Sequence, residues 1–271
     1  MLRAMYTAIS GLKANQLMLD VTANNIANVN TIGFKAGRAT FEETLSQNLA
    51  GGAAPIANVR GGLDPRQIGL GVRLGGIDTM MSQGTVQQTG NPYDLAVQGQ
   101  GWFQVSTDPT SSTAGTFYTR AGNFTRDANG DLVTSDGYYL VGLSGSTAGK
   151  INIPADAKSV NIDPNGGVTI VKADDTTTTF QIQLATFPNE GGLQKIGDNL
   201  FQAGVNSGAA VQGNPGAAGF GSLIPGALEM SNVDLSEQFT DLITAQRAFQ
   251  ANSKVVTTSD DILQELVNLK R

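Results

Sequence analysis

Residues 231–271 contain neither Gly nor Pro. Large apolar residues recur there every seven positions, at Leu235, Leu242, Phe249, Val256 and Leu263. Ala245, Asn252, Ser259 and Leu266 fall between them at alternating steps of three and four. A stripe of this period predicts a helix packed lengthwise on another helix. Asp234 and Glu237 are placed to cap its first turn. Asp234, Glu237 and Asp241 sit at the positive end of the dipole, and Lys270 and Arg271 at the negative end. Such a helix would be about 54 Å long at 1.5 Å per residue. At a chain terminus it needs a partner over that whole length.

The opposite terminus offers one. Residues 2–28 have no Pro and one Gly, and Leu2, Met5, Ile9, Leu12, Gln16, Leu19, Ala23 and Ile26 repeat the three-and-four spacing. The two stripes predict an antiparallel or nested pair of terminal helices, with Gln16, Asn252 and Ser259 as polar residues that fix register. Two amphipathic helices lying on a globular core are the plainer alternative. The period of seven favours helix on helix.

Asn24, Asn25, Asn28 and Asn30, followed by Thr31 and Gly33, form a strong helix stop. Phe41, Leu45 and Leu49 allow a short amphipathic helix over residues 37–49. The Gly/Ala/Pro-rich stretch 50–66 reads as an extended or mobile connector. Residues 67–226 read as β structure. Asn129-Gly130 and Asn165-Gly166 are hairpin signals, and residues 180–187 alternate as one half-buried strand. The fold class is therefore α+β: long terminal helices packed as a coiled coil, with a central all-β domain of short antiparallel strands. The expected organisation is a helical domain of residues 1–30 plus 231–271, a connector over 31–70 and a β domain over 71–230.

The chain has no His and no Cys, which rules out His-based triads, Cys nucleophiles, disulfides and thiolate or imidazole metal sites. No carboxylate pair stands out, so nothing nominates an active site, a metal site or a cofactor. The sequence around Asp127, Asn129, Gly130 and Asp131 has calcium-loop chemistry but lacks the bidentate Glu that such a loop needs, and it reads as a turn. Trp102-Phe103 reads as having at least one core ring. A net charge of -6 disfavours nucleic acid and anionic membranes as partners. The apolar runs are too short for membrane insertion.

Four separated blocks carry a resemblance. ANNIANVNTIGFK from Ala23 to Lys35 resembles the N-terminal signature of the bacterial flagellar rod and hook proteins, notably at Asn24, Asn25, Asn28, Asn30, Gly33 and Phe34. SNVDL from Ser231 and AQRAFQANSK from Ala245 are similar to the family's C-terminal block. DLAVQGQGWF from Asp94 and YTRAGNF from Tyr118 are similar to its middle blocks.

The resemblance implies a non-enzymatic subunit of a hollow, extracellular axial polymer. Its terminal helices would form the inner tube and its β domain the outer layer. The apolar positions named above, Leu2 through Ile26 and Leu235 through Leu266, would be its polymerisation seam. Gln238, Thr244, Gln246 and Gln250 would lie on a channel face. Expected partners are further copies of itself, rod, hook-cap and hook-filament junction proteins, and the flagellar type III export apparatus. The opening residues and the Gly-rich link suggest a flexible hook subunit, with a distal rod subunit as the alternative. An extracellular β-domain adhesin with helical termini is the alternative from another class.

Overall fold

Both termini are helical, α1 over Leu2–Ala27 and α2 over Leu235–Leu269. The computed structural model describes residues 2–55, 61–108, 115–145 and 147–269, without the side chains of Leu2 and Thr147. Lys270 and Arg271 lie outside that range. The contacts divide the chain into two units, one of residues 1–27, 37–79 and 234–271 and the other of residues 28–36 and 80–233.

In the first unit α1 and α2 pack along each other. Asn25 meets Gln238, and Gly11 faces Asn252 so closely that a Cβ on Gly11 would lie 2.7 Å from Asn252 Nδ2. The pairing is therefore antiparallel. The α2 cap is the expected one: Asp234 Oδ1 accepts from the amides of Ser236 (2.8 Å) and Glu237 (3.4 Å). On α2 the covered positions follow the heptad: Gln238, Leu242, Ala245, Asn252, Val256, Ser259 and Leu263 are buried or half-buried. Phe249 lies at the edge, 37% exposed, and Leu235 and Leu266 are exposed.

On α1 the stripe differs from expectation. The covered line is Ala8, Gly11, Asn15, Met18, Thr22 and Asn25. The expected stripe sits one residue, about 100°, further round the helix and is covered only in part: Met5, Leu12, Leu19 and Ile26 are half-buried, while Ile9, Gln16 and Ala23 are exposed. Small and polar side chains let the two backbones approach, and that decided the seam over bulk. The adjacent α1 face carries strands: Ser10 Oγ accepts from the amide of Val72 (3.2 Å).

The segment expected as a helix over 37–49 is extended. β1 (Gly37–Glu43) and β2 (Ser46–Ala50) run out, and β3 (Arg66–Gly69) and β4 (Val72–Thr79) return. β1 pairs with β4 from Gly37↔Thr79 to Glu43↔Val72, with a bulge between Thr40 and Phe41, and β2 pairs with β3. Ala53 and Leu63 continue the ribbon with two backbone hydrogen bonds of 2.9 Å. The four-residue spacing of Phe41, Leu45 and Leu49 fits a strand face as well as a helix face, and β4 supplies the backbone partners of β1 and β3 those of β2. The Gly-rich stretch is likewise ladder-paired as far as Ala53 and Leu63. Residues 56–60 lie outside the described residues.

The second unit is antiparallel β structure. Its main sheet runs, in spatial order, through Ala157–Ile162, Gly167–Lys172, Thr177–Ile182, Tyr139–Ser144, Trp102–Ser106, Thr116–Thr119, Leu200–Gln202 and Gln194–Gly197. Phe103, Phe124, Leu132, Leu140 and Leu184 belong to its buried core, and Trp102 packs with Phe201 in a second cluster. Both rings of the Trp102-Phe103 pair are fully buried.

Asn165-Gly166 turns a hairpin as expected, with Gly166 at φ 83°. Asn129-Gly130 does so between Thr125–Arg126 and Leu132–Val133. There Asp127 Oδ1 binds the amides of Asn129 and Asp131, both at 2.8 Å, while Lys150 and Asn152 engage the Asp131 carboxylate. This is turn chemistry. Residues 180–187 do not form one strand. They break between Thr177–Ile182 and Leu184–Thr186, because the second piece changes partners to Trp102–Ser106 and Val211–Gly213.

Candidate functional site

The Asn-rich signature is a docking loop. After α1 ends, Thr31 hydrogen-bonds Asn28 through both backbone and side chain, each at 3.1 Å. Gly33 adopts φ 67°, and its amide donates to the carbonyl of Glu229 at 2.8 Å. A Cβ there would lie 2.5 Å from the Ala121 nitrogen, so the position demands glycine. Asn199 Nδ2 binds the Ile32 carbonyl (3.0 Å) from the Asp198-Asn199 hairpin turn, where both residues have positive φ. Lys195 Nζ binds the Lys35 carbonyl (2.8 Å) and lies 5.0 Å from the centre of the Phe34 ring. Asn30 lines a polar pocket with Asp136 and Asp198.

Beneath this loop is a buried ion cluster. Lys35 Nζ lies 2.6 Å from Glu229 Oε1 and donates to the Ser82 carbonyl at 2.9 Å. Arg120 Nη1 reaches Glu229 Oε2 at 3.3 Å, and its Nη2 donates to the Gly99 carbonyl at 2.9 Å. The Gly84 amide completes the shell around Glu229 at 3.0 Å. Lys35, Arg120 and Glu229 are 1%, 3% and 0% exposed. Arg120 also stacks over Trp102, 5.2 Å from the ring centre. Burial pulls the Lys35 pKa below the ordinary lysine range, against the opposing pull of Glu229. One carboxylate thus serves two cations, and the three groups come from three distant parts of the chain.

Asn232 ties the same region. Its Oδ1 accepts from the Ala36 amide (2.8 Å), and its Nδ2 donates to the carbonyls of Met80 (2.8 Å) and Ser82 (3.1 Å). In the first unit Asn25 plays a comparable part. Its amide brackets Gly37, accepting at 2.9 Å and donating at 2.8 Å, and also donates to Gln238 Oε1 at 2.8 Å. Asn24 is exposed.

The motif residues thus divide between two tasks, loop docking and helix pairing. Gln238 parts from its expected company: it is half-buried against α1, whereas Thr244, Gln246 and Gln250 are exposed. The apolar positions remaining at the surface form a second set. Tyr6 is 70% exposed, Phe239 50%, Ile243 55% and Leu269 82%. Among the described residues no three His, Cys, Asp or Glu side chains gather as a metal site.

The cluster was missed in the sequence because Lys35, Arg120 and Glu229 look like ordinary surface charges there. The available signal was that Lys35 and Arg120 interrupt blocks otherwise made of apolar, small and amide residues.

Three family descriptions match separate parts of the chain. They are the flagella basal body rod protein at residues 5–35, the flagellar hook protein FlgE/F/G D1 domain at 96–170, and the flagellar basal body rod FlgEFG protein C-terminal at 224–269. The flagellar basal-body rod protein FlgG of Bacillus subtilis is 52% identical over 273 positions, covering all of both chains. The chain belongs to the flagellar rod and hook protein family. The FlgG of Agrobacterium fabrum is 43% identical over 96% of this chain and 97% of its own. The flagellar hook protein FlgE of Borreliella burgdorferi is 29% identical, over an alignment of 447 positions that covers both chains fully. As a member of this family the chain is a flagellar axial structural protein and not an enzyme. The rod proteins match it end to end, while the hook protein needs a far longer alignment. These relatives fit the rod alternative better than the hook expectation.

Proposed function

We propose that this chain is the distal rod subunit of the flagellar basal body, polymerising into a stiff hollow driveshaft. The observation that carries the reading is the 52% identity to a rod protein over the full length of both chains. The ladder-paired ribbon supports it: β2 and β3, continued by Ala53 and Leu63, replace the loose connector that a bending hook would favour. Exposed apolar side chains on both terminal helices are the surface that neighbouring copies cover, since isolated helices with such faces are marginal in water. Thr244, Gln246 and Gln250 would face the channel as neutral side chains with little hold on unfolded cargo.

Other axial proteins and the flagellar type III export apparatus are the partners this role requires, and the subunit works outside the cytoplasmic membrane. The test is electron microscopy of the concentrated protein. Straight tubes of high persistence length are expected. Curved, compliant tubes would return the hook reading, and a protein that stays monomeric at all concentrations would sink both.

A further inference from the structure

Extending the antiparallel register from Asn25–Gln238 and Gly11–Asn252 brings Leu2 opposite residue 261. Residues 262–269 therefore run about 12 Å past the level of Leu2, the first described residue of α1. This overhang is apolar and open: Ile262 and Leu266 are each 48% exposed, Val267 67% and Leu269 82%. Ile262, Leu266 and Leu269 lie at helical spacing on one face, flanked by the exposed carboxylates Asp261 and Glu265.

The first half of α1 carries a matching surface. Tyr6 (70%), Ile9 (38%) and Leu17 (37%) are exposed on the side away from the α2 seam, with the exposed cation Lys13 among them. One stripe is apolar with acidic flanks, and the other is apolar with a basic centre. Within one chain they do not meet: the α1 stripe faces away from α2, and Ile9 lies opposite residue 254, about 12 Å along the helix from residue 262 and further from residue 266.

Resting on the polymer reading above, we infer that the α2 overhang of one copy docks on the Tyr6–Ile9–Lys13–Leu17 face of α1 in a neighbouring copy. Each copy then offers one donor and one acceptor surface. The contact is heterologous, and in the polymer of the reading above it propagates from copy to copy. Heptad-type apolar packing supplies the adhesion, and Lys13 against Asp261 and Glu265 sets the register.

The test uses the full-length chain, which has no native cysteine. In the double variant Ile9→Cys/Leu266→Cys the two sites are too far apart to be bridged within one chain, since a disulfide needs Cα atoms within about 7 Å. Oxidising its concentrated polymer should give a ladder of covalent multimers on non-reducing gels. Separately, Lys13→Glu should raise the protein concentration needed for polymerisation at least tenfold, and adding Glu265→Lys to the same chain should restore it. Normal tubes with no ladder, or with no response to the charge reversal, would overturn the contact while leaving the polymer reading intact. Wild-type protein that never polymerises would overturn both.

Discussion

Glu229→Gln isolates the charge of the buried cluster with almost no change of shape. The carboxylate is fully buried and faces two cations, Lys35 Nζ at 2.6 Å and Arg120 Nη1 at 3.3 Å. In the variant the amide oxygen can still accept from Lys35 or from the Gly84 amide. The amide nitrogen then points a donor at Arg120, and both buried cations lose the carboxylate that they pair with. Breaking a buried ion pair by removing one partner costs about 3–5 kcal/mol, and the upper end applies where one anion serves two cations.

Arg120→Met is the control. It leaves Lys35 and Glu229 as a balanced pair and removes the Arg120 Nε, which has no hydrogen-bond partner among the described residues. It loses the Gly99 hydrogen bond and the stacking on Trp102, together about 1–3 kcal/mol. Urea unfolding followed by fluorescence reads the effect at its source, because the chain's single tryptophan, Trp102, lies under Arg120. The midpoint should fall with an unchanged slope, and further for Glu229→Gln than for Arg120→Met. A Glu229→Gln loss below about 1 kcal/mol, or the reverse order, would refute the view that this carboxylate locks the cluster.

Gly33→Ala should destabilise the second unit by at least about 1–2 kcal/mol, from the left-handed backbone alone, with the collision at Ala121 adding to it; the same urea titration measures it. Asn25→Ala should cost about 1–3 kcal/mol and expose the Gly37 amide to hydrogen exchange, and a double-mutant cycle with Gln238→Ala should show coupling between the two side chains. The pH dependence follows from Lys35, whose pKa is held below the unfolded value of about 10.4. Between the two values the unfolded chain binds the extra proton, so stability rises with pH across that window and falls as pH drops through the folded value. Tyr118, raised by burial, works the other way above about pH 10. Unfolding midpoints should therefore rise as the pH climbs toward about 10.4 in the wild type and stay flatter in Lys35→Met.

Local rules sufficed for much of this fold. The α2 heptad, its Asp234 cap, the Asn-rich stop after α1 and the turns at Asn129-Gly130 and Asn165-Gly166 all depend on neighbours within a few residues, so the sequence alone determined them. The absence of His and Cys likewise set His- and Cys-based chemistry aside, while the structural role rested on the family blocks. What the sequence left open depends on distant partners. Residues 37–43 and 46–50 are extended because β4 and β3 respectively complete their ladders, and a spacing of four cannot announce a partner that lies well down the chain. The α1 seam runs along Ala8, Gly11, Thr22 and Asn25 because the approach of α2 rewards small side chains, whereas periodicity ranks residues by bulk. Lys35, Arg120 and Glu229 become one cluster only once the loop, the strand end and the last β segment meet. Burial then turns three unremarkable charges into a lock, since the energy of an ion pair depends on the dielectric that the whole fold creates around it.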